Sequence, residues 1–102
     1  MQIYTLKNRQ FVMTEIENTL DAMQEFVNGD IEIINITDKI LLVCNEEGKM
    51  RGLPPSAFIV RNQQMQDVIV GNFFLCREDD EDMASIQETD IEDFKRIVLP
   101  IM

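Results

Sequence analysis

The spacing of apolar residues along the first half of the chain predicts strands interrupted by one helix. Residues 2–6 alternate between apolar and polar side chains, as in a strand with one buried face, and residues 11–16 form the predicted return strand of a hairpin. Over residues 19–28 the apolar period becomes that of a helix. The apolar positions of this predicted helix are Leu20, Met23, Phe26 and Val27.

The ends of the predicted helix carry residues that favour helix termini. Asn18 or Thr19 is suited to cap the N-terminus, and Asp21 lies in the first turn, where a negative charge is favoured. Gly29 suits the left-handed position that follows a helix.

Two strands and a turn are predicted next. Residues 30–36 return to a period of two, and residues 40–44 are apolar at every position, as in a central strand covered on both faces. In the turn that follows, at residues 45–48, we expect Gly48 to adopt a positive φ.

The next part of the chain combines an irregular segment with a strong strand. Residues 49–66 are predicted to be irregular, because Gly52–Ser56 contains two prolines and is unsuited to a regular ladder. Residues 68–76 are predicted to form one strand, in which Gly71 marks a bulge or a close backbone approach.

A second helix is predicted to start near Thr89, where Thr89 and Glu92 fit a capping box, and to stop at Pro100. Its predicted apolar face contains Ile91, Phe94, Ile97 and Val98. The expected order is therefore β-β-α-β-β-loop-β-α, an α+β fold with a small antiparallel or mixed sheet and helices on one side. We expect a single domain over residues 1–102, with an acidic segment at residues 78–93.

Charge and composition exclude several classes of function. The chain has 19 acidic and 9 basic residues, a net charge of −10, and no histidine. A general nucleic-acid binder or a protein for anionic membranes needs a surplus of basic residues, so neither class is expected. The lack of histidine removes every Ser-His, Cys-His and His-metal arrangement. The excess of acid is local, because residues 78–102 contain nine acidic and only two basic residues.

The two cysteines and the apolar segments indicate a compartment. Cys44 and Cys76 each lie in an apolar run, which predicts buried thiols in a reducing cytosol. No secretory signal pattern precedes the first predicted strand, and no apolar stretch approaches the roughly 20 residues of a membrane span. We therefore expect a cytoplasmic protein.

Three segments together resemble a known family. Residues 18–32, 42–55 and 67–73 are similar, in this order and spacing, to the bacterial and phage domain-of-unknown-function family thirty-eight forty-six. The most specific part is the run from Cys44 to Lys49 that continues into Gly52–Pro55. The resemblance implies a small protein of phages or mobile elements, in the cytoplasm of a bacterial host. Accessory proteins of such elements often act on host defence.

The loop from Asn45 to Ser56 is the first candidate site. Lys49 and Arg51 supply positive charge, and backbone N–H groups around the two loop glycines are suited to form a nest for an anion. An ordinary β-turn followed by a Pro-Pro connection is the structural alternative. The candidate ligand-binding residues are Asn45, Gly48, Lys49, Met50, Arg51, Gly52, Ser56 and Phe58.

The acidic run is the second candidate site. It consists of Glu78, Asp79, Asp80, Glu81 and Asp82. A solvated loop and a protein-interaction surface, in the extreme a mimic of nucleic-acid phosphates, are both compatible with it. The spacing of oxygen ligands does not fit a calcium loop, so no metal site is predicted.

These observations favour a non-enzymatic binding protein with no catalytic residue and no cofactor. The first hypothesis is that the loop sequesters an anionic nucleotide signal and so counteracts host defence. The alternatives are an acidic inhibitor that blocks a host defence protein, and a structural dimerisation module that pairs through an exposed sheet edge. A homo-oligomer, which the third hypothesis requires, is also compatible with the first.

Overall fold

The computed structural model describes residues 1–101, which form two antiparallel sheets and two short helices. The larger sheet contains β1 (Gln2–Lys7), β2 (Gln10–Glu15), β3 (Ile31–Asn35), β4 (Ile40–Asn45), β7 (Phe74–Asp79) and β8 (Asp82–Ala84). The smaller sheet contains β5 (Pro55–Arg61), β6 (Gln64–Val70) and β9 (Val98–Pro100). The helices are α1 (Leu20–Val27) and α2 (Ile91–Phe94), and a 3-10 helix (Glu88–Asp90) leads into α2.

The strand order of the larger sheet is β2-β1-β7-β4-β3, with β8 paired to β7, and that of the smaller sheet is β6-β5-β9. All pairings are antiparallel, and strands outweigh helices by 49% to 15% of the chain, which is consistent with a small α+β fold. The predicted order of elements differs from the observed one in two places. After β4, the structure has four strands, β5 to β8, where a loop and one long strand were predicted, and a ninth strand, β9, follows α2. Within residues 1–101, the longest helix has eight residues, far fewer than a membrane-spanning helix requires.

The larger sheet is covered on both faces. Helix α1 packs on one face, and the smaller sheet and α2 pack on the other, so the prediction of helices on one side is wrong. Strand β4 lies between these layers and is buried at all six positions, which confirms the prediction of a central strand. The core on the helix side consists of Ile3, Met23, Val27, Leu41, Val43, Phe74 and Cys76.

Helix α1 begins and ends close to the predicted limits. The Thr19 hydroxyl accepts a hydrogen bond from the Ala22 backbone N–H at 3.2 Å, which confirms one of the two predicted caps. The left-handed residue at the other end is Asn28, with φ 64°, and not Gly29 as predicted. Asparagine tolerates this conformation better than most residues. Leu20 begins the helix and stays 56% exposed, so it does not share the buried face.

The prediction of an irregular segment over residues 49–66 is wrong for its second half. Strands β5 and β6 form a hairpin there, joined by Asn62 and Gln63, which both have positive φ as in a type I′ turn. Pro55 does not prevent the strand, because it is the first strand residue, a position that tolerates proline.

The predicted strand over residues 68–76 is two strands in different sheets. The chain leaves β6 after Val70, passes Gly71 with φ 73°, and enters β7 at Phe74. A Cβ at Gly71 would lie 2.8 Å from the Leu53 side chain, so the crossing needs glycine for both its conformation and its contacts.

The C-terminal helix is shorter than predicted and starts differently. Gln87 and Asp90 form the capping box in place of Thr89 and Glu92. Helix α2 has only four residues, and the chain then returns to an extended conformation. Val98 and Pro100 consequently lie in β9, where Val98 is buried against the smaller sheet's core.

Candidate functional site

Asn45 anchors the candidate loop to the end of helix α1. Its side chain is buried, and its amide nitrogen donates hydrogen bonds to the carbonyl oxygens of Val27 at 3.0 Å and Asn28 at 3.1 Å. Its side-chain oxygen accepts a hydrogen bond from the Glu47 backbone N–H at 2.8 Å. The side chain therefore satisfies carbonyl groups that a helix C-terminus leaves without intrahelical partners.

Arg51 reaches the same helix terminus. Its Nη1 donates a hydrogen bond to the Asn28 carbonyl oxygen at 2.5 Å. A positive charge is favoured at this end of a helix because the unpaired carbonyl groups carry partial negative charge. Two of the predicted ligand-binding residues thus fasten the loop to α1.

The loop glycines do not form the predicted nest. The Gly48 N–H donates to the Asn45 carbonyl oxygen at 3.3 Å, and the Gly52 N–H donates to the Lys49 carbonyl oxygen at 3.2 Å. The predicted positive φ of Gly48 is wrong; a Cβ there would lie 2.7 Å from the Val70 side chain, so close packing explains this glycine. Gly52 has φ 70°, which favours glycine.

Lys49 is paired with a carboxylate. Its Nζ lies 2.5 Å from Asp67 Oδ1 on strand β6. This hydrogen bond lowers the pKa of Asp67 and raises the pKa of Lys49. The Lys49 side chain remains 63% exposed, so the pair lies at the surface.

Three predicted residues, Asn45, Lys49 and Met50, line one cavity of about 100 Å³ between the edges of the two sheets. Small-molecule pockets usually have at least about 300 Å³, so this cavity is small for a nucleotide. Its charged lining residues are Glu32, Glu46, Lys49 and Asp67, with carboxylates in the majority. Sequence reasoning missed Glu32 and Asp67, which come from strands far apart in the chain.

Cys44 also lines this cavity. Its Sγ donates a long hydrogen bond to Glu32 Oε1 at 3.9 Å. Burial, and secondly the charge of Glu32, raise the pKa of the Cys44 thiol to about 12. The thiol is therefore protonated at neutral pH and is a poor nucleophile.

The remaining predicted ligand-binding residues lie outside the cavity. Ser56 donates a hydrogen bond to the Gly71 carbonyl oxygen at 2.5 Å. Phe58 lies on β5 between Val68 and Leu99 of the neighbouring strands, and it is absent from both core clusters. The structure thus brings together Asn45, Lys49 and Met50 but not Phe58.

The acidic run forms a β-hairpin. Glu78 and Asp79 end β7, Asp82 begins β8, and Asp80 and Glu81 form the turn with φ values of 48° and 69°. We call residues 78–82 the acidic hairpin. Its five side chains are exposed, and none makes a salt bridge within the described part of the chain. Asp79 faces Asp82 across the hairpin, a like-charge pair that opposes hairpin formation.

An ion pair fixes the base of the acidic hairpin. Arg77 Nε lies 2.7 Å from Asp90 Oδ2, and its Nη2 lies 2.7 Å from Oδ1, a bidentate contact. The Gln87 N–H also donates to Asp90 at 2.8 Å. These hydrogen bonds, that of Arg77 first, lower the pKa of the buried Asp90. No sequence motif signals this pair, because its members lie on separate elements.

The family model of DUF3846, described as a domain of unknown function, matches residues 1–98. The chain therefore belongs to this family, which confirms the resemblance found in its sequence. No curated protein and no solved structure matches the chain significantly.

Proposed function

We propose that this member of the DUF3846 family is a non-enzymatic binding protein whose acidic hairpin docks against a basic partner protein. The observation that carries the proposal is an ordered hairpin with five exposed carboxylates and no basic partner for any of them in residues 1–101. Complementary charge of this kind steers association with a positively charged surface.

Two features of the acidic hairpin are unfavourable for folding, which supports a role in binding. Asp79 and Asp82 repel each other, and Glu81 occupies a left-handed conformation that costs a residue with a side chain roughly 1 kcal/mol or more. No salt bridge inside the described chain offsets this repulsion. A basic partner would offset the repulsion.

The proposed partner is a protein that otherwise binds nucleic-acid phosphates, because such proteins present clustered Lys and Arg side chains. The acidic hairpin would then occupy the phosphate-binding surface. In the phage or mobile-element setting that the family resemblance implies, this partner would be a host defence protein, and binding would block it.

A purely non-covalent role agrees with the chemistry of the chain. The sequence has no histidine to act as a general base at neutral pH. Burial also raises the pKa of the Cys76 thiol to about 12, as it does for Cys44. The groups that carry the proposal are carboxylates exposed to water.

The proposal is tested by neutralising the hairpin turn. The variant Asp80→Asn/Glu81→Gln is compared with wild type for binding to a basic DNA-binding protein of the host, in the presence and absence of a DNA duplex. We expect the variant to bind at least about tenfold more weakly, and DNA to compete with the wild-type protein.

The matched control is Glu46→Gln/Glu47→Gln, which removes two exposed, unpaired charges from another turn. This control and the hairpin variant both remove two negative charges from the net charge of −10, so we expect the control to retain wild-type affinity within about twofold. Equal loss of binding in both variants would show that only overall charge matters and would refute the proposed surface.

Sequestration of an anionic nucleotide by the loop is the second candidate function. One observation favours it: Asn45, Lys49 and Met50 line a common cavity, and Met50 is 88% exposed beside it, where it is free to cover a base. The pairing of Lys49 with Asp67 and the small volume weigh against it.

Native mass spectrometry with a panel of cyclic and linear nucleotides tests this second function. Retention of a nucleotide by wild type, and its loss in Lys49→Ala, would support sequestration. Lys49→Ala is preferred to Arg51→Ala, because Arg51 also holds the C-terminus of α1. If the protein binds no nucleotide in the panel, the sequestration hypothesis is contradicted and the acidic hairpin remains the proposed binding surface.

A further inference from the structure

Strand β2 forms one edge of the larger sheet, and within residues 1–101 it pairs only with β1. The two-residue turn at Asn8 and Arg9 makes Lys7 and Gln10 a hydrogen-bonded pair. Along the two strands from this turn, non-hydrogen-bonded and hydrogen-bonded residue pairs then alternate. The reciprocal hydrogen bonds between Met1 and Ile16, at 2.8 and 3.0 Å, fit the same alternation.

This alternation identifies the free backbone groups of the edge. The N–H and C=O groups of Phe11, Met13 and Glu15 point away from β1. No described residue pairs with them, so the edge offers a template for a further strand.

The other edge strands of the two sheets have features that disfavour pairing with an additional strand. On β3, Glu32 is a charged residue in the edge strand, and the Arg61 guanidinium occupies the carbonyl oxygens of Asn35 at 2.7 Å and Ile36 at 3.1 Å. Strand β9 has three residues and ends at Pro100, β8 also has three residues, and β6 contains an irregularity in register.

Strand β2 has one charged residue, as β3 does, but it lacks the guanidinium that covers the edge of β3 and the short length, proline or irregular register of the other edge strands. Its six residues pair with β1 in an unbroken register, without proline or a bulge, and Glu15 is its one charged residue. Phe11, Val12, Met13 and Thr14 are half-buried, so the strand also offers apolar side chains to a neighbour.

We propose that two copies of the chain pair through their β2 edges, antiparallel about a twofold axis at Met13. Phe11 then faces the partner's Glu15, and Met13 faces the partner's Met13. This register uses all three free residues of each strand, and each facing pair exchanges two backbone hydrogen bonds. The contact is isologous and closed, as in most homodimers.

The charges at the two ends of β2 are complementary in this arrangement. One end carries the exposed Lys7 and Arg9, and the other carries the exposed Glu15 and Glu17. The twofold axis places Arg9 opposite the partner's Glu17. A second copy therefore meets opposite charge at both ends of the strand, although the chain has a net charge of −10.

An open groove beside the acidic end extends this complementarity. It has a volume of about 660 Å³, lies between the end of β2 and helix α1, and is lined by Glu17, Asp21 and Glu25 among others. The basic turn of the second copy approaches this groove when the edges pair. This charge match, together with the free edge, selects a second copy as the occupant.

Charge reversal tests the dimer in sedimentation experiments on the intact protein. Arg9→Glu places like charges opposite each other twice, so we expect it and Glu17→Arg each to weaken dimerisation at least about tenfold. The double variant Arg9→Glu/Glu17→Arg should restore dimerisation. Arg96→Glu, an equal charge change at an exposed site elsewhere, should leave it unchanged.

Cysteine substitution tests the register. In the proposed pairing the two residues at position 13 lie about 5.5 Å apart between Cα atoms, within the range for a disulfide. Met13→Cys should form a covalent dimer on oxidation, whereas Val12→Cys, which faces the partner's Thr14, should not. A monomeric wild-type protein, failed rescue by the double charge reversal, or cross-linking through position 12 instead of 13 would overturn the proposal.

Discussion

At the residue scale, two asparagine side chains contact the same helix in different surroundings. The buried Asn45 binds the Val27 and Asn28 carbonyl oxygens, whereas the exposed Asn72 donates to the Phe26 carbonyl oxygen at 3.2 Å. A buried group that loses its partner also loses access to water, so the two contacts differ in their contribution to stability.

We expect Asn45→Ala to lower the free energy of unfolding by about 1–3 kcal/mol, because the buried Val27 carbonyl oxygen loses its hydrogen-bond partner. Asn72→Ala is the control and should cost less than about 1 kcal/mol, since water replaces the lost contact. Urea denaturation of both variants measures the difference. Equal stability of Asn45→Ala and wild type would contradict the structural role.

The strained turn of the acidic hairpin gives a second prediction. Glu81→Gly should stabilise the protein by about 0.5–1 kcal/mol, because glycine adopts positive φ without a steric cost. The same variant should bind a basic partner more weakly through its lost charge. Glu78→Gly removes an equal charge from within β7, opposite the uncharged Met83, and should instead destabilise the protein by roughly 0.5–1 kcal/mol. Thermal denaturation and binding measured together would separate the two effects.

The roles of single residues in the loop could be predicted only in part. The sequence indicated that Lys49 and Arg51 lie in the loop that follows strand β4, and they do. It could not indicate that their partners are the end of α1 and Asp67, because those contacts depend on how distant elements pack.

At the element scale, the Arg77–Asp90 pair joins strand β7 to the 3-10 helix beside it. Asp90 is buried, and its hydrogen bonds favour the ionised form. We expect Asp90→Asn to lower the free energy of unfolding by about 1.5–3 kcal/mol at neutral pH, the range for hydrogen bonds to a charged group. Glu92→Gln, which disrupts the exposed pair with Lys95, should have little effect.

The same pair predicts a dependence on pH. Because the folded pKa of Asp90 is lowered, its contribution is complete above the unfolded carboxyl pKa of about 3.9 and is lost as pH falls through the folded value. The stability difference between wild type and Asp90→Asn should therefore shrink below about pH 4. A constant difference from pH 7 to pH 3 would show that ionisation of Asp90 does not stabilise the fold.

Elements with a clear pattern of apolar residues were predicted closely, whereas elements that begin or end at proline or glycine were not. Alternating and helical patterns located β1, β2, β3 and α1, and an uninterrupted apolar run located β4. The two prolines before Ser56 masked β5, because proline is harmful inside a strand yet tolerated at its start. Gly71 was interpreted as a bulge or a close approach within one strand; it does lie close to Leu53, but the chain changes sheet at this residue.

At the scale of the whole molecule, unpaired negative charges and free strand edges are each concentrated in one region. Unpaired carboxylates concentrate at the acidic hairpin, and the unprotected strand edge lies at β2. Composition alone predicted a strongly acidic protein, but it could not predict that part of this charge is displayed on a hairpin. That placement depends on β7 continuing past Cys76 and pairing with β8.

The most direct measurement is the affinity of the protein for a basic DNA-binding protein of the host, determined calorimetrically over a series of salt concentrations. Wild type should bind more weakly as salt increases, because salt screens the opposed charges, and Asp80→Asn/Glu81→Gln should bind more weakly with a shallower salt dependence. Equal affinity and equal salt dependence of the two proteins would contradict the proposal that the acidic hairpin is the binding surface.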